Sequence, residues 1–300
     1  MAIYSLHKNL LTEAKENPFK LEKDIQKLFE ENLQTIFGLE FIKSEFVIKN
    51  NRIDTLAYDV QNKAFVIIEY KRDKNFTVID QGVSYLSLML ENRADFIMEY
   101  NEGKRIGLKR NDVDWSQSKV IFVSTGFTPV QLQATNFKEM AIELWEVRKY
   151  ENGVISINQV KKSSSSESIR PIATKGSKLN EVASQIKVYT EQGHMDKASD
   201  LAVELYLRLK NSILNLSDGI EMVPRKEYIA FKKGKNIVDV CLLKKTVKLW
   251  INLKRGELDD PKKLAKNVYG TGHWGNGDYQ IQIENDKYIE YIMSLVKQAL

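Results

Sequence analysis

Apolar positions along the first third of the chain switch from helical to extended spacing and back. Leu21, Ile25, Leu28, Phe29, Leu33 and Ile36 stand three and four apart, which predicts one amphipathic helix ending near Gly38. Residues 41–48 and 52–58 read as strands joined by a turn at Asn50-Asn51. A second turn, Gln61-Asn62-Lys63, leads into Ala64-Phe65-Val66-Ile67-Ile68-Glu69-Tyr70, an apolar run of the kind that fills a sheet centre. A helix follows over 77–91, with Val78, Val83, Tyr85, Leu86, Met89 and Leu90 as core positions. Strands over 94–100 and 119–124, a short helix over 137–144 and the segment Trp145-Glu146-Val147 complete this region. The order predicts an α/β fold: a mixed sheet flanked by helices.

Beyond residue 160 the pattern changes. Lys161-Lys162 runs into Ser163-Ser164-Ser165-Ser166-Glu167-Ser168, with Pro171 and Gly176 close behind; such a composition cannot bury a core. The expected division is a first domain over 1–160, a serine-rich linker over 161–178, and a smaller α+β domain over 179–300. The last predicts helices over 179–191 and 196–214, then strands over 228–232, 236–242 and 247–253. Further strands are expected around Trp274 and over 279–282, and a terminal helix over 286–300.

Composition narrows the chemistry. The chain has 300 residues, 43% of them hydrophobic and 28% charged, which describes a globular protein. No run of about 18 apolar residues exists, and the N-terminus lacks a signal-peptide pattern, so a cytoplasmic location is expected with no membrane partner. One cysteine, Cys241, excludes an internal disulfide and a multi-cysteine metal site, and its apolar surroundings predict a buried, inert thiol. The three histidines are scattered, so a metal would have to sit on carboxylates, which favours Mg²⁺ or Mn²⁺. The net charge of +5 is mild, but residues 225–266 hold 13 Lys/Arg against five Asp/Glu, a local excess of eight. That asymmetry suits either contact with nucleic acid or a solvated lysine-rich surface.

Three charged residues interrupt the apolar strands of the first domain. Asp54 lies inside one arm of the predicted hairpin; Glu69 and Lys71 end the other, two apart and so on one face. Two carboxylates on neighbouring strands offer oxygen ligands to Mg²⁺, and a lysine beside them can orient a water and stabilise charge developing on phosphate. Taken singly, a Glu-x-Lys pair at a strand end is commonly just solvated.

Together, Ile53-Asp54, 14 intervening residues, and an apolar run leading into Glu69-Tyr70-Lys71 resemble the motif of the PD-(D/E)xK nuclease superfamily, with Ile53 in place of the proline. Gln81 and Tyr85 match the Gln-x-x-x-Tyr element of its RecB-like branch; four apart on a helix, they share a face. Arg52-Ile53-Asp54-Thr55-Leu56-Ala57 with Ile67-Ile68-Glu69-Tyr70-Lys71 also looks like NucS-type DNA endonucleases. The resemblance covers about residues 20–100. It implies a restriction-endonuclease-like mixed sheet and a Mg²⁺-dependent (or Mn²⁺-dependent) nuclease acting on DNA, with Asp54, Glu69 and Lys71 catalytic. It further implies Asp54, Glu69 and an acid of the first helix around the metal: Glu22, on the stripe of Ile25 and Phe29, or Glu30. Gln81, Tyr85 and Arg52 would meet nucleic acid. Many members of the superfamily are homodimers; no interface is legible in the chain. The competing reading is a nucleic-acid-binding protein that keeps the fold without cleaving.

Over residues 190–300 the chain resembles a C-terminal module of uncharacterised bacterial proteins sometimes labelled "predicted transport protein". Matching strings are Tyr228-Ile229-Ala230-Phe231-Lys232, Leu253 through Asp260, and Gly272-His273-Trp274-Gly275-Asn276-Gly277-Asp278-Tyr279. The lack of an apolar span gives transport no support. The glycine-rich string predicts a tight loop with Trp274 packed in the core; an exposed Trp274 beside the basic surface would instead suit single-strand binding.

Overall fold

The computed structural model describes residues 3–74, 77–105, 107–163, 166–171 and 173–300. The chain divides into two compact units, Met1–Val188 and Tyr189–Leu300.

The first unit opens with an antiparallel hairpin, β1 (Tyr4–His7) and β2 (Leu10–Glu13). α1 (Glu22–Glu30) and α2 (Leu33–Phe37) replace the single helix expected over 21–36. Asn32 turns its amide onto the Leu28 carbonyl (2.8 Å), competing with the main chain for that acceptor, and the helix restarts behind it. Gly38 ends α2 in the left-handed region (φ 68°), as its place after the last apolar residue predicts.

β3 (Glu40–Ile48), β4 (Asn51–Asp59) and β5 (Ala64–Lys71) form an antiparallel meander. α3 (Val78–Glu91) and α4 (Arg93–Lys104) follow, then β6 (Lys119–Ser124), α5 (Pro129–Thr135), β7 (Ile142–Lys149), β8 (Ile155–Val160) and α6 (Lys178–Gln185). The sheet order is β3-β4-β5-β6-β7-β8, with β5, β6 and β7 parallel and β8 antiparallel: the mixed sheet the pattern predicts. β5 is buried on both faces, which explains its unbroken apolar run. Val66, Ile68 and Tyr70 pack with Ile25, Phe29 and Leu33 from α1 and α2, whereas Phe65 and Ile67 join Leu86, Met89 and Phe96 from α3 and α4.

Further elements of the first unit depart from expectation. Residues 94–100 are helical, because Phe96 and Tyr100, four apart, both turn onto the aromatic cluster of Phe46, Tyr58 and Phe65. The helix expected over 137–144 is absent, and a helix stands earlier: Thr128 caps α5 by accepting from Gln131 N–H, with Pro129 in the first turn. The segment read as linker is not a spacer between the units. Ser164 and Ser165 lie outside the described residues, but Ile169 and, from α6, Val182 and Ala183 are buried in the first unit's core. The contact boundary accordingly falls after Val188.

The second unit holds α7 (Glu191–Met195), α8 (Asp200–Leu214), β9 (Glu221–Pro224), β10 (Ile229–Lys233), β11 (Lys235–Leu242), β12 (Val247–Ile251), β13 (Lys266–Asn267), β14 (Tyr279–Ile283) and α9 (Ile289–Val296). Its antiparallel sheet runs β13-β14-β12-β11-β10-β9, and α8 and α9 pack on the face carrying Val238, Val240, Leu249, Ile251 and Ile281. Trp274 lies in a loop rather than a strand, 53% exposed, so the expectation of a core tryptophan fails. Among the described residues, no helix is long and apolar enough to cross a membrane.

Candidate active site

The hairpin of β4 and β5 brings Asp54 and Glu69 together where its ladder stops. The last regular pair at this end is Thr55 with Ile68. One step further Asp54 faces Glu69, and their carboxylates take over the role of main-chain carbonyls. Asp54 N–H donates to Glu69 Oε1 (3.1 Å), and Tyr70 N–H donates to Asp54 Oδ2 (3.0 Å). Side chains thus satisfy amides that the opened ladder leaves behind. Lys71, on the same face as Glu69, sets its ammonium 3.5 Å from Glu69 Oε2.

Helix α3 closes the other side. Gln81 Nε2 donates to Glu69 Oε2 (3.0 Å) and to the Tyr85 hydroxyl (3.2 Å), which itself donates to the Arg52 carbonyl (3.2 Å). The close approach depends on Gly82: a Cβ there would meet Ile142 Cδ1 at 2.4 Å. Gln81 and Tyr85 share a face as their spacing predicts, and that face points at the acids.

The first helix contributes two acids in different settings. Glu22 is exposed, correcting its expected inward placement; its Oε1 accepts from Arg72 N–H (3.0 Å), one residue past Lys71. Glu30 instead accepts from Thr55 Oγ1 (2.5 Å) and Gln26 Nε2 (3.0 Å), a network behind the strand. Of the two, Glu22 is the one whose charge bears on Asp54 among the leading causes of its shift.

Two neighbours escaped the sequence reading. Glu45 sits between the Ser44–Thr55 and Phe46–Ile53 pairs with φ 52°, a left-handed conformation uncommon for a residue with a side chain. It pairs with Arg52 Nε (2.9 Å), and its charge also bears on Asp54. Counting back across the Asn50-Asn51 turn would have placed it opposite Asp54. Gln26 is buried and donates to the Asp54 carbonyl (2.9 Å). Its signal was a polar residue between Ile25 and Phe29 on the inward stripe.

Electrostatics follow from depth. Glu69 is 2% exposed, and burial, then the charge of Asp54, pushes its carboxyl up to about 7 against the opposing pull of the Asp54 N–H and Lys71. Burial likewise raises Asp54, opposed by the Tyr70 N–H and Lys71. Burial and then Glu69 push the Tyr85 hydroxyl up to about 12, so it remains a donor. A buried and a half-buried acid with raised pKa values bind a proton or a cation in preference to standing bare. Among the described residues, no three or more His, Cys, Asp or Glu side chains gather closely enough to cage an ion. A pair of carboxylates still fits Mg²⁺, which usually retains several waters and takes one or two carboxylates.

A protein of Haemophilus influenzae (strain ATCC 51907 / DSM 11121 / KW20 / Rd), described as uncharacterized, is 57% identical over 300 residues, covering 100% of this chain and 99% of its own length. The family described as a domain of unknown function (DUF5655) matches residues 191–300. Among solved structures, a repair endonuclease from Pyrococcus abyssi aligns at 16% identity and TM-score 0.26, covering 44% of this chain and 49% of that one. A structure titled EndoMS-dsDNA2 complex aligns at 15% identity and TM-score 0.26, covering 45% of this chain and 61% of that one. The alignments thus span less than two thirds of either solved chain.

Proposed function

The chain belongs to the family of the Haemophilus influenzae protein that it matches from end to end, and we propose that its first unit is a divalent-metal-dependent nuclease acting on DNA. The observation that carries this reading is the facing of Asp54 and Glu69 just past the end of their ladder, with Lys71 on the same side. Asp54 and Glu69 would hold Mg²⁺ or Mn²⁺, with Glu22 as the helix acid whose charge bears on Asp54, and the ion would supply a Lewis acid for the scissile phosphate. Lys71 positions the attacking water and balances negative charge growing on the phosphate oxygens. Gln81 holds Glu69 in place through its amide, and Tyr85 holds Gln81. Arg52, with an exposed side chain, is available to a phosphate of the bound strand.

The competing reading, nucleic-acid binding without cleavage, draws on how deeply Glu69 is bonded to Lys71, Gln81 and Asp54. The two separate in one assay. Linear, branched and single-stranded DNA and RNA are incubated with the full chain in Mg²⁺ or EDTA, alongside Asp54→Ala and Lys71→Ala. A nuclease cleaves at least one substrate in Mg²⁺ alone, and each substitution slows it by about 100-fold or more. Salt-sensitive binding with no cleavage establishes the competing reading. Cleavage that survives either substitution removes the assignment of these residues.

A further inference from the structure

We propose that the second unit carries a binding platform for single-stranded nucleic acid, built on the loop between β13 and β14. The loop is closed by Val268 N–H donating to Asp278 O (2.7 Å) and is anchored on the sheet face opposite α8 and α9. Asn276 donates through both its main chain (2.7 Å) and its side chain (2.9 Å) to Asp239 Oδ2, and through its side chain to Tyr228 Oη (2.8 Å). Gly275 lies against Trp250, where a Cβ would fall 2.5 Å from the ring. Gly277 lies against the Ile251 carbonyl, where a Cβ would fall at 1.8 Å. His273 stacks parallel to Trp250 (6.3 Å between centroids, 19°). The loop is therefore held from several sides.

What it holds out is aromatic. Trp274 is 53% exposed and Tyr269 is 62% exposed. Both stand on an anchored frame, so little freedom is lost when a ring is capped by a partner. The Arg255 guanidinium lies 5.8 Å from the Tyr269 ring, and Lys248 Nζ lies 6.0 Å from the buried Trp250 ring beneath the loop. Lys266, exposed, continues the row Asp239–Trp250–Gln280–Lys266 across the same face. Residues 225–266, which include Lys248, Arg255 and Lys266, carry an excess of eight positive charges.

Flat rings for base faces, interleaved with cations for phosphates, match an unpaired strand. A duplex stacks its bases on one another and leaves Trp274 and Tyr269 nothing to stack against. An anionic partner is set by the charge, and an unstacked one by the rings.

The test uses the full chain in EDTA, so binding is read without cleavage and its result stands apart from that of the nuclease reading. Fluorescence anisotropy of a fluorescein-labelled oligodeoxythymidylate gives Kd across a salt series for the wild type, Trp274→Ala, Tyr269→Ala, Trp274→Phe and Lys266→Ala, each checked for an unchanged thermal midpoint. Loss of either ring is expected to weaken binding about tenfold, with Trp274→Phe close to wild type. Lys266→Ala is expected to lower the salt slope by about one. Absence of binding by the wild type, wild-type affinity in both Trp274→Ala and Tyr269→Ala, or equal competition by a duplex would each overturn the proposal.

Discussion

At the residue scale, the first unit's site and the second unit's loop both rest on a buried acid. Glu69 in the metal-free protein has a carboxyl raised to about 7, above the usual carboxylate range. The folded state then binds a proton that the unfolded state has released. Stability from this group is full at acid pH and is lost as pH rises through about 7. In EDTA the thermal midpoint is expected to fall between about pH 4.5 and pH 7, and Glu69→Gln to remove that component of the slope; an unchanged slope in the variant rejects the assignment. Asp239 is buried beneath the loop of the second unit, where burial raises its carboxyl against the donors of Asn236 and Asn276. Asp239→Ala strands these donors, and urea unfolding is expected to show a loss of about 3 kcal/mol. The catalytic candidates were legible because acids and a lysine interrupt an apolar strand. Glu45 and Gln26 were harder to read: one depends on hairpin register, the other on which polar residue of a helix faces inward.

At the element scale, α3 can bring Gln81 to Glu69 only because Gly82 lets it press on β7 and β6. Gly82→Val is expected to cost about 2 kcal/mol by overpacking against Ile142 and to loosen the site, with Ile142→Ala recovering part of the stability. Calorimetric melting of the single and double variants checks this; additive losses would mean the two side chains do not meet. The strands β3, β4, β5 and β6 were readable from alternation and apolar runs, since packing on both faces of a sheet leaves a strong imprint. α4 was not, because Phe96 and Tyr100 also fit a strand pattern and only their common target among the aromatic rings decides. α5 was marked by Thr128-Pro129 and Gln131, a capping signal that outweighs its weak apolar pattern.

At the scale of the whole molecule, each unit has its own core. The serine run suggested a boundary near residue 160, yet low local apolarity does not reveal that Ile169, Val182, Ala183 and Ile186 return to the first core. A fragment of residues 1–188 is therefore expected to unfold cooperatively, and one ending at residue 170 to melt at lower temperature because it uncovers that core. Equal melting of the two fragments would return the boundary to the serine run.

The facing acids of β4 and β5 are most directly tested by calorimetric titration of Mn²⁺ into the full chain at pH 8, beside Asp54→Asn and Glu69→Gln. Saturable binding by the wild type, lost in both variants, is the expected result. Binding unchanged when both acids are replaced, or none in the wild type, would contradict it.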